Sequence, residues 1–365
     1  MNALKLPWKG KDVPAALLDV VRGCNCICRA CFNRRPPSHK PLGTIREELA
    51  AIQRLRNVKS VGITGGEPLL HPQIADVVRL IRDRGLSPAM LTNGILWNAD
   101  VADRLRRAGL DTVMFHIQPG QTRPDLRQDA TAADAFALIS EKCATAAASG
   151  VEAVAIATVS ARRPQETDAM LDAFLGCREC SYLWLTLERD MQTIGSGRES
   201  SARGNGIEEM SGVLLRHGWR PFAGIGGSID ASRWRWMAFH SFARMDRAGH
   251  VAGLASVPPS LFERGAFAAL RLIGVQLPYR VKASRAGILG RIAANAVSGG
   301  PVKNLGFVLA ALAGRQRIEP KHVVVEALPE LAPDGRIEHC DPCIDATVRD
   351  GRLVPPCLAD VDCEV

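Results

Sequence analysis

Ten of the chain's eleven cysteines fall into three short groups, and their spacing is the first sign of chemistry. Cys24, Cys26, Cys28 and Cys31 lie within eight residues, Cys177 and Cys180 form a pair, and Cys340, Cys343, Cys357 and Cys363 close the sequence; only Cys143 stands apart. Nothing at the N-terminus resembles a secretion signal, and in a reducing compartment such groups read as metal sites rather than disulfides. Cys24, Cys28 and Cys31 follow C-x3-C-x2-C. Three thiolates hold three irons of an iron–sulfur cubane and leave the fourth iron open to chelate a small molecule. Cys26 is then an extra, bystander thiol. The run Gly65-Gly66-Glu67-Pro68 adds glycines that permit close backbone approach and a carboxylate able to accept from an ammonium group. The tail reads C-x2-C-x13-C-x5-C, four thiolates that saturate either zinc or a second cluster. Cys177 and Cys180 cannot saturate a metal alone and read as free thiols near one end of the fold.

The elements that must position these residues alternate strand and helix. Strands are expected at Ala15–Val21, Ser60–Thr64, Pro88–Thr92, Thr112–Gln118, Val151–Val159 and Tyr182–Leu187. Helices are expected at Thr44–Arg56, Pro72–Arg84, Ala99–Ala108, Thr131–Ser149 and Pro164–Leu175, with Thr44 and Glu47 as a capping box. Six β-then-α units predict a parallel sheet with right-handed crossovers, either a barrel or an open doubly wound sheet. In both, chemistry sits at the C-terminal ends of the strands. The first cysteine group, Gly65–Pro68 and Thr92-Asn93-Gly94 all fall there.

C-x3-C-x2-C after the first strand, followed by Gly-Gly-Glu-Pro after the second, resembles the radical S-adenosylmethionine (SAM) superfamily over roughly residues 15–190. The resemblance implies a partial (β/α)6 TIM-like barrel. It implies a [4Fe–4S] cluster on Cys24, Cys28 and Cys31 whose open iron binds SAM, which one electron cleaves to methionine and a 5′-deoxyadenosyl radical that abstracts substrate hydrogen. Gly65, Gly66, Glu67 and Pro68 would line the methionine end of SAM. His116 or Gln118 would stand where relatives place a ribose-contacting residue, Asn93 on a cofactor-facing loop, and Phe32 near the adenine in place of the aromatic that Ala30 lacks. The implied electron donor is a flavodoxin- or ferredoxin-type protein.

The cysteine tail resembles the auxiliary-cluster extensions (SPASM and twitch types) of that superfamily, and its surroundings look like tails in a group that includes archaeal tetraether lipid synthase. A second [4Fe–4S] cluster on Cys340, Cys343, Cys357 and Cys363 is the expectation, with a zinc ribbon as the alternative. The expected organisation is an extension over residues 1–14, a core barrel over 15–190, a linker and basic helical insertion over 191–319, and a small cysteine-rich domain over 320–365.

Charge is concentrated in the insertion. Residues 215–318 hold fifteen Lys and Arg against three Asp and Glu, a balance of +12 within a chain whose total is +8. Such a bias expects an anionic partner or surface. Mixed with Trp234, Trp236, Phe239 and Phe242, it reads either as a lipid-headgroup surface or as a solvated helical cap. Nucleic acid is not expected, because aromatic residues are few. No apolar run reaches the ~18–20 residues that span a bilayer, so the expectation is a cytoplasmic enzyme with peripheral membrane contact. A lipid substrate is favoured, then a ribosomally made peptide, then a small metabolite such as a pterin. The competing class is a non-catalytic zinc-binding scaffold.

Overall fold

The computed structural model describes residues 3–28, 31, 33, 36–160, 163–188, 206–247, 249–272, 284–314, 316–332 and 334–359. Phe32, Cys363 and the Gly- and Ser-rich linker lie outside them. In chain order the described elements open with β1 (Leu4–Lys5) and β2 (Ala15–Val21), then α1 (Leu42–Leu55) and β3 (Ser60–Gly65). There follow α2 (Ile74–Arg82), β4 (Ser87–Thr92), α3 (Ala99–Ala108), β5 (Thr112–His116), α4 (Ala132–Ala148), β6 (Glu152–Val159), α5 (Pro164–Gly176) and β7 (Tyr182–Leu187). Strands β2 to β7 pair in parallel and in consecutive order, as the repeated βα units require. The helix stops are legible chemistry: Gly109 takes φ 106° at the end of α3, a left-handed conformation cheap only for glycine.

One capping expectation fails. Helix α1 begins at Leu42 directly after Pro41, with no side-chain cap, which places Thr44 inside the helix. Proline's fixed φ presets the chain for a helix start, so the helix begins before the hydroxyl could cap it. A true capping box forms elsewhere, between Thr131 and Asp134.

The basic insertion is not simply helical. After α6 (Gly206–Arg216) come four strands, β8 (Pro221–Gly226), β9 (Trp234–Phe239), β10 (Ser241–Met245) and β11 (Val251–Ser256). Helices α7 (Leu261–Leu272), α8 (Arg285–Val297) and α9 (Lys303–Ala313) follow, then β12 (Arg317–Pro320). The strands were hidden because β9, Trp-Arg-Trp-Met-Ala-Phe, is buried on both faces and shows no alternation of apolar and polar residues. Its one charged residue, Arg235, is itself buried and pairs with Glu330 at 2.9 Å. Strand β13 (His322–Ala327), from the region read as the cysteine-rich domain, enters the main sheet between β7 and β9, parallel to β7. The result is a ten-stranded sheet in the order β1-β8-β9-β13-β7-β6-β5-β4-β3-β2.

This sheet curves into an incomplete TIM-like barrel. Ala15 on the edge strand β2 shares an apolar cluster with Trp184 of β7, Val324 of β13, Trp236 of β9 and Ile225 of β8, joined by Trp8, Cys340 and Ile344. Strands that far apart in sheet order can meet only across a concave face. The cluster fills the end of the concavity near the strand starts. Farther along, Leu91, His116, Thr158, Thr186 and Glu326 keep part of their surface, while their strand neighbours Met90, Phe115, Ala157, Leu185 and Val325 are buried against the helices. The period-2 alternation of strands therefore lines a hollow. Short strands β14 (Glu330–Leu331), β15 (Ile337–Glu338), β16 (Thr347–Arg349) and β17 (Arg352–Val354) complete the tail. The open edge of β2 is covered by this segment: Leu17 N–H donates to Ala346 O at 3.0 Å, and Arg349 pairs with Asp19 at 2.6 Å.

Also at the strand-start end, Lys321 is fully buried and donates to the carbonyls of Phe174 (3.1 Å), Cys180 (2.9 Å) and Cys177. Burial lowers its pKa below the ordinary lysine value. The unfolded chain therefore binds more protons between that lowered value and ~10.4, and stability should climb with pH across this alkaline window. Lys321→Met leaves three carbonyls without a donor and should cost on the order of 3 kcal/mol. Urea unfolding at stepped pH checks both: the variant should unfold earlier and lose that part of the climb.

Candidate active site

The first cysteine group sits where β2 ends, and its position is set by backbone. Gly65 has φ 144°, and a Cβ there would meet Val21 O at 2.0 Å; a Cβ on Gly66 would meet Gly23 O at 2.2 Å. Two bare glycines therefore let the end of β3 press against the stem of the cysteine loop. Gly66 N–H donates to Val21 O (2.7 Å) and Glu67 N–H to Gly23 O (2.8 Å), one residue before Cys24. The close approach these glycines permit is thus to the chain's own backbone. On the far side, Ile27 and Thr122 exchange both backbone hydrogen bonds (3.2 and 3.0 Å), and the Asn33 amide returns to Arg22 O at 2.8 Å.

Glu67 is completely buried. Its Oε1 accepts from Leu69 N–H (3.0 Å) and Thr92 Oγ1 (2.7 Å), and its Oε2 from Asn93 N–H (2.7 Å). Burial raises its pKa, while these three donors and the nearby Arg123 oppose the rise. Oε2 keeps acceptor capacity beyond the Asn93 bond. Pro68 begins the short turn that follows.

Held this way, Asn93 turns its Nδ2 to Asn25 Oδ1 (2.7 Å) and toward Cys24 Sγ (3.8 Å). Gln121 Nε2 donates to Cys28 Sγ at 3.4 Å. Gln121 in turn accepts from the buried Arg123 (3.0 Å), whose guanidinium also donates to Asn93 O (2.9 Å) and grips Asp125 through two bonds (2.6 and 2.9 Å). Gln121 and Arg123 were not singled out from the sequence. The signal was Pro119-Gly120-Gln121-Thr122-Arg123, a polar turn immediately after a strand end, where barrel chemistry collects.

His116 lies on the concave face with its Nε2 3.1 Å from Gln118 Oε1 and 3.3 Å from Thr158 Oγ1. Burial lowers its pKa, so the ring is neutral at pH 7. Gln118 is beyond the end of β5 rather than within it; its Oε1 also accepts from Thr158 N–H, and its own N–H donates to Gln121 Oε1 at 3.2 Å. The structure therefore links His116, Gln118, Gln121, Asn93 and the cysteine loop in one hydrogen-bonded network.

The thiols fit an iron–sulfur group. Cys24 and Cys31 are exposed and Cys28 is half-buried, and each of Cys24 and Cys28 feels the charge of Cys31. Amide N–H groups aimed at Cys24 and Cys28 suit sulfurs that carry charge as ligands. Cys26 Sγ is 3.9 Å from Cys28 Sγ. Among the described residues no three His, Cys, Asp or Glu side chains surround a point suited to one metal ion. A cubane instead gives each thiolate its own iron.

In the tail, Cys340 is buried and Cys343 and Cys357 are half-buried; burial is the larger cause that raises the pKa of all three, and Cys357 adds to the rise at both Cys340 and Cys343. Arg56, at the end of α1, fixes their loop by donating to Cys343 O (2.7 Å), Ile344 O (3.1 Å) and Ala15 O (2.9 Å). Two carboxyls face these thiols. Burial pushes Glu326 up to about 8 and Asp345 up to about 6. Trp184 Nε1 donates to Glu326 at 3.0 Å. Cys143 is not isolated: it is buried beside Cys177 and Cys180, and Ser140 Oγ donates to Cys177 Sγ at 3.0 Å.

Glu67→Gln would turn an NH2 group toward donors that now meet a carboxylate. It should loosen the clasp by on the order of 2 kcal/mol. Amide hydrogen exchange reads this directly: Leu69 and Asn93 should exchange faster, with α3 unaffected.

Part of the chain is similar to known proteins. Residues 18–175 match the model of the Radical SAM superfamily. The chain is 26% identical over 214 residues to "Probable GTP 3',8-cyclase" of Metallosphaera sedula, covering 57% of this chain and 65% of that protein. It is 33% identical over 112 residues to the GTP 3',8-cyclase of Chlorobaculum tepidum, covering 30% of this chain and 34% of that protein. The chain therefore spans less than two thirds of the length of these curated relatives. Among solved structures, Streptococcus suis SuiB bound to precursor peptide SuiA aligns with a TM-score of 0.42 at 16% identity, covering 58% of this chain and 49% of that one. Residues 18–175 are a radical SAM domain, a kind of domain that works with a [4Fe–4S] cluster and S-adenosylmethionine.

Proposed function

We propose that Cys24, Cys28 and Cys31 hold the SAM-binding [4Fe–4S] cluster and that the enzyme abstracts hydrogen from an organic substrate admitted to the barrel hollow. The observation that carries this reading is the cysteine loop clasped between Gly66–Glu67 and Thr122, with Asn93 and Gln121 donors directed at two of its sulfurs. When bound and reduced by a flavodoxin- or ferredoxin-type donor, the cluster supplies the electron that cleaves SAM to methionine and a 5′-deoxyadenosyl radical. The protein's part is positional. Asn93 and Gln121 stabilise sulfur charge, Glu67 Oε2 offers an acceptor for the SAM ammonium, and His116 with Gln118 presents neutral polar atoms on the inner wall. Cys24→Ala, Cys28→Ala and Cys31→Ala should each cut 5′-deoxyadenosine formation from SAM and dithionite by on the order of a hundredfold or more, with Cys26→Ala close to wild type. Dependence on Cys26 in place of one of the three would reassign the ligands.

Cys340, Cys343 and Cys357, with Cys363, are proposed to bind a second cluster facing the same hollow. Anaerobic reconstitution should give about eight irons per chain, falling to about four in Cys340→Ser/Cys343→Ser. Stoichiometric zinc at that site, with iron unchanged in the double variant, would favour the ribbon alternative.

For the substrate we favour an amphiphilic lipid, on the strength of the basic segment. A second reading is favoured by the relatives named GTP 3',8-cyclase. Consumption of GTP coupled to deoxyadenosine release would establish that reading and displace the lipid; no consumption leaves the lipid in place.

A further inference from the structure

Helices α8 and α9 cover the small sheet formed by β10, β11 and β12, meeting Phe242, Ala255 and Val257 through Ile292 and Phe307, while Phe267 of α7 packs against Phe222 of β8. Their outer sides are unusual. Leu261, Phe262, Val297, Val302, Leu309 and Leu312 are between 54% and 76% exposed. A single exposed leucine is ordinary, but a continuous group of them is not.

Continuity follows from the backbone. Leu261 N–H donates to Ser298 O at 3.2 Å, and the Leu261 side chain lies 3.9 Å from where a Cβ on Gly299 would stand. The start of α7 therefore abuts the end of α8 beside Val297, and Gly300-Pro301 lead directly to Val302 at the head of α9. From there Leu305, Leu309 and Leu312 continue along one helical face. Helix α9 has a single charged residue, Lys303, and buries Phe307 and Ala311 on its other side. It is apolar on both sides, as a helix covered on both sides would be.

The charges around this face are of one sign. Among their described side chains the three helices contain Arg264, Arg285, Arg291 and Lys303 against Glu263 alone, and Glu263 is engaged by Arg291 (3.3 Å) and Ser260 N–H (2.9 Å). Lys303 adjoins Val302, and Arg285 donates to Ala311 O at 2.9 Å, beside Leu312. Cations thus stand at both ends of the apolar strip.

We infer that this face docks onto the surface of an anionic lipid bilayer. Apolar side chains would enter the boundary between headgroups and acyl chains, with Lys303 and Arg285 at headgroup level. No helix among the described residues is long and apolar enough to cross a membrane, so the mode is peripheral. The inference rests on the helices alone, and its failure would leave the radical SAM reading untouched.

Flotation of the full-length protein with phosphatidylcholine vesicles, with and without phosphatidylglycerol, tests it. The protein should float with the anionic vesicles and not with the neutral ones, and added salt should release it. Leu309→Asp/Leu312→Asp should lower the bound fraction by about tenfold or more. These side chains face water, so deoxyadenosine formation and circular dichroism should stay unchanged in that variant. Absence of binding to anionic vesicles, or equal binding by the variant, would overturn the proposal. So would loss of binding in favour of a concentration-dependent dimer that Leu309→Asp abolishes, since that assigns the face to a second copy of the chain.

Discussion

The site depends on one contact: the backbone of Gly65–Glu67 laid against that of Val21–Gly23. A side chain on either glycine would collide with a carbonyl, so the contact exists only because two residues carry none. Through it the end of β3 fixes the cysteine loop, and the adjoining Glu67 carboxylate carries the constraint to Thr92 and Asn93 at the end of β4. A fully buried carboxylate is expensive unless its acceptors are satisfied. Three protein donors meet that need, which makes Glu67 a tie between strands as well as a candidate SAM contact.

The second tie reaches the loop from the opposite side. Arg123 is buried and divides its donors among Asp125, Gln121 and Asn93, so both amides that approach the cysteine sulfurs are anchored by one guanidinium. Arginine suits this task because its planar fork can serve three acceptors at fixed angles. A lysine would supply the charge without the geometry. The network is long-range in sequence, with Gln121 and Cys28 separated by 93 positions, yet local in space because adjacent strands end side by side.

That separation explains what the sequence could and could not reveal. Strands β2 to β7 and helices α1 to α5 were readable to within a few residues because strand-like and helical stretches alternate there and are punctuated by glycines and polar turns. The C-x3-C-x2-C and Gly-Gly-Glu-Pro motifs were readable because their spacing is itself the information. Gln121 and Arg123 carried no such mark, since their value lies in which distant sulfur or carbonyl they meet. Strands β8 and β9, within the segment read as helical, were obscured for another reason. Trp234–Phe239 is buried on both faces and stands outside the βα series, so neither an alternation of residues nor an alternation of elements betrays it. The buried Arg235 strengthened the impression of a solvated basic helix.

Strand β13 occupies the slot between β7 and β9, although both precede it in the chain. The parallel half built by β2–β7 and the β8–β9 hairpin share no strand pairing of their own, and this later segment hydrogen-bonds to both. Its insertion also brings Glu326 and, shortly after, Cys340 to the wall of the hollow. The last wedge of the wall is thus continuous in sequence with the second set of thiols.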